Sequence, residues 1–250
     1  LVEGKPMHKS KGNFVTLKNA LEQYGADATR CALLLGAEGM DDPDWRSENA
    51  RDMHNKLEAW YRLVENVVES ETDQKAEHLE NWLISTLQDR VKTVTENIEA
   101  LKTRTALDQA FSQIWNDFRW YAHRKGKTEA KALREALEAW LKLLAPFAPH
   151  LAEESWRMIG CRGFVSTSEW PELDESKSDR QADEVEELVK QTLDDTQEII
   201  GTTKLAPKKV HYYAAAKWKW RVYTEALRRM QSQPETLDGL IRDMIAAKDH

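Results

Sequence analysis

Apolar residues recur along most of this chain at three- and four-residue steps, a spacing that predicts helices. The first residues are an exception. Leu1 to Gly12 is polar and rich in Lys and Gly, and reads as a loop. Thr16 is placed to cap a short helix that ends at a left-handed Gly25. A second short helix, about Asp27 to Gly36, carries Ala32, Leu33 and Leu35, and Gly39 and Pro43 then forbid regular structure. From Ser47 onward Met53, Leu57, Trp60, Tyr61, Val64 and Val68 mark a long amphipathic helix, with a turn at Ser70 to Lys75. Leu79, Trp82, Leu83, Leu87, Val91, Val94, Ile98 and Leu101 mark a second. Ala106, Ala110, Ile114, Trp115, Phe118 and Tyr121 mark a third, ended by Lys125-Gly126-Lys127. Thr128 caps a fourth, which buries Leu133, Leu137, Trp140, Leu141 and Leu144. Helices of this kind, each roughly 25–35 Å long and joined by short turns, build a helix bundle.

Pro146 and Pro149 interrupt the fourth helix, which resumes from His150 to Ile159 and stops at Gly160. Cys161 to Asp174 reads as irregular or β-like. Beyond Ser176, Val185, Leu188, Val189, Leu193, Ile199 and Ile200 mark a helix ending at Gly201. Lys209 to Ala214 alternates Val210, Tyr212 and Ala214 and reads as a strand; Lys217 to Gln233 and Thr236 to Lys248 read as helices. A lone strand leaves a row of backbone groups unpaired, so its partners are expected outside this chain. The fold class is therefore mainly α, with a partial α/β C-terminal domain. The divisions fall at residues 1–46, 47–175 and 176–250.

Composition alters this picture in one respect. Net charge over the 250 residues is −7, which argues against a surface coated for nucleic acid. The average hides a split, however. Leu173 to Thr196 holds nine Asp/Glu against three Lys/Arg, whereas Lys204 to Arg229 holds eight Lys/Arg against one Glu. A local basic stretch binds phosphates even on an acidic chain. Lys208, Lys209, Lys217, Lys219, Arg221, Arg228 and Arg229 alternate there with Tyr212, Tyr213, Trp218, Trp220 and Tyr223. Cations beside flat rings suit phosphates and unstacked bases. The same residues also suit a strand and an amphipathic helix with core aromatics and solvated cations. The acidic run Asp183 to Glu187 reads as a solvated helix face. Arg51, Arg119 and Arg124 are candidates for RNA backbone contact from the bundle.

Cys31 and Cys161 lie in no CxxC or Cys/His cluster, so no zinc site is expected. Cys31 reads as a buried thiol, and two unclustered cysteines suit a reducing cytoplasm. No stretch approaches 18 apolar residues, so no membrane span is expected. A chain that opens on Leu1 reads as a piece excised from a longer protein.

The opening string GKPMHKSKGN carries the most chemistry. Lys9 and Lys11 bracket the hydroxyl of Ser10, and Gly4 and Gly12 let the loop bend close to a ligand. Mobile ammonium groups of this kind offset charge that develops as pyrophosphate leaves. From composition alone, an ordinary basic surface loop is the favoured reading. KPMHKSKGN resembles the KMSKS signature of class I aminoacyl-tRNA synthetases, with Pro6, Met7, His8, Lys9 and Ser10 at the five positions. Pro6 stands in place of the first Lys and His8 in place of the first Ser, while Lys5 is near enough to supply part of the missing charge. YGADATRCALLLGAEGMDDPDW is similar to the segment that follows KMSKS in the leucine, isoleucine and valine enzymes. LAPFAPHLAEESW, from Leu144 to Trp156, resembles the family string LxPFxPHxxEELW, and SEWPELD resembles the segment after the bundle. AEGMDDPDWR, WYAHR at Trp120 to Arg124, and the string from DDTQEIIGTTK to VHYYAAAKWKW resemble the archaeal and eukaryotic leucine enzymes.

The resemblance implies an end-of-catalytic-domain connector over 1–46, an anticodon-binding-type bundle over 47–175 and a tRNA-binding domain over 176–250. It implies Lys9 as the catalytic residue, and Met7, His8, Lys9, Ser10 and Lys11 as the ATP-binding set. Lys208, Lys209, Lys217, Trp218, Lys219 and Arg221 become the tRNA-binding set. The partners implied are tRNA(Leu), ATP with magnesium as substrate, and leucine. The family's HIGH signature and editing domain lie upstream of KMSKS, so this stretch alone is expected not to activate leucine. Valine and isoleucine enzymes, and a non-catalytic tRNA-binding helical protein, remain as alternatives. Leu1 to Gly12 is expected to be mobile, and His150 to be a packed, hydrogen-bonded side chain rather than a catalyst.

Overall fold

A computed structural model describes residues 1–69, 78–125, 130–232 and 242. The expected turn at Ser70 to Lys75, the cap at Thr128 and the helix at Thr236 to Lys248 lie outside the described residues, except that Arg242 is helical. The chain forms two compact units, Leu1–Leu193 and Asp194–His250.

Two short helices open the first unit, α1 (Leu17–Tyr24) and α2 (Ala26–Leu35). Thr16 caps α1 as its position predicts, accepting from the Asn19 amide at 3.1 Å. Gly25 has the positive φ of 82° that favours glycine, but its ψ of 170° is extended rather than left-handed helical. It ends α1 and starts α2 in a single residue, which is why a left-handed cap does not form.

The bundle follows: α3 (Ser47–Glu69), α4 (His78–Glu99), α5 (Thr103–Leu107), a π-helical segment (Asp108–Gln113), α6 (Ile114–Lys125), α7 (Ala130–Leu144) and α8 (Pro149–Met158). The apolar stripes read from sequence face one core. Trp60, Leu83, Phe111, Ile114, Phe118, Tyr121, Leu137, Trp140 and Leu144 are all essentially inaccessible. The Trp60 and Trp140 rings meet edge to face at 5.0 Å, and Phe118 lies 4.7 Å from Trp140. The Trp140 indole N–H donates to the carbonyl of Ala110, at 2.6 Å, inside the π-helical segment. That segment had no distinct signal in the apolar spacing, because it lies within an otherwise regular stripe.

Cys161 to Asp174 is irregular with one short 3-10 turn at Val165–Thr167, and Trp170 donates to Thr95 of α4 at 2.8 Å. Then comes α9 (Arg180–Thr203), which passes Gly201 and stops where Lys204 turns to a φ of 53°. Its acidic run is not simply a solvated face. Glu186 is fully buried and accepts from Arg124 (3.0 Å twice), Trp120 (2.8 Å) and His78 (3.2 Å). Burial opposes ionisation of Glu186, but the bonds from Arg124, Trp120 and His78 more than offset it and hold its carboxyl below the ordinary range. Asp183 accepts from Ser85 at 2.7 Å, and Lys190 lies over the Trp82 ring at 4.9 Å. Glu184 and Glu187, between and beside these, are the ones that face water. Arg124 is thus committed to Glu186 rather than displayed for RNA.

In the second unit, α10 (Lys217–Ser232) forms as its spacing predicts. The strand expected at Lys209 to Ala214 does not form; Leu205 to Ala216 carries no strand pairing. An alternating sequence needs a neighbouring edge to complete its hydrogen bonds, and none of the described residues supplies one.

Replacing Glu186 with Ala leaves Arg124 and Trp120 without their acceptor in a water-poor site. The variant should lose roughly 3 kcal/mol of unfolding free energy in urea titration, against under about 0.5 kcal/mol for the exposed Glu187→Ala.

Candidate functional site

The opening loop closes on itself. The His8 amide donates to the Asn13 carbonyl at 2.9 Å, and Asn13 Nδ2 returns a bond to the Pro6 carbonyl at 3.0 Å. Between them Lys9–Lys11 forms one 3-10 turn that ends at Gly12 with a φ of 72°. Gly12 therefore does what its presence predicts: it takes a left-handed conformation that side chains disfavour. Met7, His8, Lys9, Ser10 and Lys11 are brought together on this turn, and all are exposed. Two ammonium groups and a hydroxyl thus project from a closed turn, an arrangement suited to a polyphosphate.

The base of the loop is hydrogen-bonded to the segment from Asp44 to Arg46. Val2 is buried; the Glu3 amide donates to Trp45 at 2.9 Å, and the Trp45 amide to Leu1 at 3.0 Å. The Gly4 amide donates to Asp44 at 2.9 Å, and Asp44 pairs with Arg46 at 2.8 Å. The reason is the DPDWR string, which lies alongside the loop and supplies both backbone and carboxylate partners.

Sequence reasoning missed a set of carboxylates that join residues 1–46 to the bundle. Glu3 accepts from the amide of Ser47, at the start of α3, at 2.8 Å. Asp27 accepts from the Leu151 amide at 2.7 Å and from His150 Nδ1 at 2.8 Å. Glu38 accepts from the amide and the hydroxyl of Thr105 at 2.8 and 2.9 Å. The Ser47 backbone bond holds the Glu3 carboxyl below its ordinary value, and the Thr105 backbone bond does the same for Glu38. His150 is hydrogen-bonded as expected but is mostly exposed rather than packed. Cys31 is fully buried, and desolvation pushes its thiol up to about 12.

The basic stretch lies in the second unit. Lys208 and Lys209 are exposed on the irregular segment, and Lys217, Trp218, Lys219 and Arg221 occupy the first turns of α10. Its aromatics are not core: Tyr213 is 94% exposed and Trp218 63%. Trp220 and Tyr223 meet edge to face at 6.4 Å, Lys219 lies 5.6 Å over the Trp218 ring, and Tyr212 shares a 2.8 Å hydrogen bond with Thr196. Arg228 and Arg229 are drawn to Glu225, at 3.0 and 2.8 Å, and hold its carboxyl down at about 2.

The helical bundle belongs to a known class of domain. The family model described as the anticodon-binding domain of tRNA ligase matches residues 80–212, and the chain belongs to that family. The chain is 37% identical to the leucine–tRNA ligase of Methanococcoides burtonii over 98% of its own length and 26% of that protein's. It is 39% identical to the leucine–tRNA ligase of Methanothrix thermoacetophila over 90% of its length and 24% of the relative's. It thus spans about a quarter of the curated relatives it matches. A crystal structure of the ternary complex of an Agrobacterium radiobacter LeuRS with tRNA and LeuAMS superposes with a TM-score of 0.61. That similarity covers 72% of this chain and 24% of the other, at 26% identity.

The lowered carboxyls of Glu3 and Glu38 predict acid sensitivity. A carboxylate whose folded pKa is depressed stabilises the fold above its unfolded pKa, near 4.5 here, and loses that contribution as pH falls through the folded value. Melting temperature should therefore fall as the pH drops below about 4.5. In a Glu3→Gln/Glu38→Gln protein that part of the fall should be shallower.

Proposed function

We propose that this chain is the part of a leucine–tRNA ligase that carries the lysine turn for ATP and the helical surfaces for tRNA(Leu). One observation carries the reading: similarity to leucine–tRNA ligases extends over 98% of the chain, from the turn into the basic helix. The complete ligase, working in the cytoplasm, joins leucine to ATP with magnesium as leucyl-adenylate and then passes leucine to tRNA. In the first step the α-phosphorus gains a bond to the leucine carboxylate and loses its bond to pyrophosphate. Negative charge grows on the leaving pyrophosphate. Lys9, on its closed turn, stabilises that charge, with Ser10 and Lys11 beside it and Met7 and His8 flanking. The turn's exposure supports this role, since its ammonium groups are open to a triphosphate. Residues of this chain bind and position substrate; activity belongs to the complete ligase.

For tRNA, Lys208, Lys209, Lys217, Lys219 and Arg221 contact backbone phosphates and Trp218 offers a face to a base. Arg228 and Arg229 contribute less, because Glu225 already neutralises part of their charge.

Lys9→Ala in the complete ligase should slow pyrophosphate exchange about 100- to 1,000-fold, with leucine affinity nearly unchanged. An unaltered exchange rate removes Lys9 from the chemistry. On the RNA side, changing Lys217, Lys219 and Arg221 to Ala should weaken tRNA(Leu) binding and reduce its salt slope by about one unit per lost phosphate contact. Arg228→Ala should reduce the slope by less. Equal slopes in the triple variant and the parent would make α10 a solvated surface only.

A further inference from the structure

Three acidic side chains from residues 1–46 each reach a different bundle helix at its first turn. Glu3 serves α3, Asp27 serves α8 and Glu38 serves α5. The residues flanking the starts of α5 and α8, Lys102 and Ala148, provide no side-chain cap. The exposed amides at those two helix starts are thus satisfied from outside, where a carboxylate also meets the positive end of the helix dipole. On α2 the attachment is extended: Arg30 donates to the Pro146 carbonyl at 3.1 Å and Cys31 Sγ contacts the Phe147 carbonyl at 3.6 Å. Asp27, Arg30 and Cys31 fall on one side of α2 by their three- and four-residue spacing; Arg30 and Cys31 bind the link from α7 to α8, and Asp27 the first turn of α8.

The Lys9–Lys11 turn lies between these attachments. Before it, the Glu3 carboxylate is bonded to the Ser47 amide at the start of α3, and Val2 pairs with Trp45. After it, only Asn13 to Thr16 separates the turn from α1, and α2 follows directly through Gly25. We infer that Asp27 and Glu38 are positioning residues for the Lys9–Lys11 turn, fixing its place relative to the bundle by capping α8 and α5. This rests on the phosphate-handling role of the turn proposed above.

The test compares the complete ligase with its Asp27→Asn/Glu38→Gln form, substitutions that preserve side-chain shape and remove charge. Pyrophosphate exchange at saturating ATP and leucine should fall about 10- to 100-fold, the scale of a misplaced reacting group. The Kd for tRNA(Leu) should not move, and hydrogen exchange should quicken at the Lys11 and Gly12 amides but not at Leu87 and Val91 in α4. Loss of tRNA binding in step with activity, or faster exchange throughout, would show a purely structural role and overturn the inference. So would an unaffected exchange reaction. Should the double variant fold poorly, Glu38→Gln alone keeps the Asp27 clasp and should give a smaller loss with the same signature; no loss there again overturns it. If the unaltered ligase performs no pyrophosphate exchange, the ligase reading fails instead.

Discussion

A helix start presents amide groups with no partner within the helix, and this molecule answers that need across the chain rather than locally. Asp27 is bonded into the first turn of α8, more than a hundred residues away, and Glu38 into that of α5. Because each bond joins the opening segment to a bundle helix, the small helices α1 and α2 have little independence. Their buried residues Ala20, Tyr24, Ala28, Cys31 and Ala32 also belong to the same apolar core as Trp60 and Trp140. The carboxylate-to-amide bonds add directional contacts to that apolar packing, at the starts of α3, α5 and α8.

Within the first unit, the opening half of α9 is held by a second, different kind of contact. Glu186 enters a site floored by Trp120 and Arg124, and Lys190 covers two tryptophan rings. Here the energetics are dominated by desolvation: a buried carboxylate is tolerable only because every oxygen is met by a donor. Asp117 shows the opposing balance. Burial raises its pKa even though Arg90 bonds to it at 2.9 Å. Two similar ion pairs thus differ in sign, because Glu186 has three donor side chains and Asp117 is desolvated more fully than its pair with Arg90 repays.

Helix type and core membership were legible in the chain because both depend on local spacing. Trp60, Phe118, Tyr121 and Trp140 recur at helical intervals, and all are buried. The turn was also legible, since Gly12, Asn13 and the flanking lysines act within a few residues. The capping carboxylates were not. Glu3, Asp27 and Glu38 resemble any polar residue until their distant partners are known. Asp183 to Glu187 misled for a related reason: alternate members of one acidic run face protein and water, and charge alone does not mark which. The strand at Lys209 to Ala214 failed because alternation describes a tendency, whereas a strand requires a partner.

The π-helical segment at Asp108–Gln113 has a consequence for how the sequence tolerates length changes. A π turn accommodates an additional residue without breaking the helix. Upstream of it, α5 presents Thr105 to Glu38; downstream, α6 presents Phe118, Trp120 and Arg124 to the core and to Glu186. Removing one residue would relax the wide turn to ordinary α geometry. It would also rotate one end against the other by about 100°. The two faces would no longer be served together. The wide turn acts as a register spacer, and a single-residue deletion that improves the local backbone would disorganise contacts at both ends of the helix.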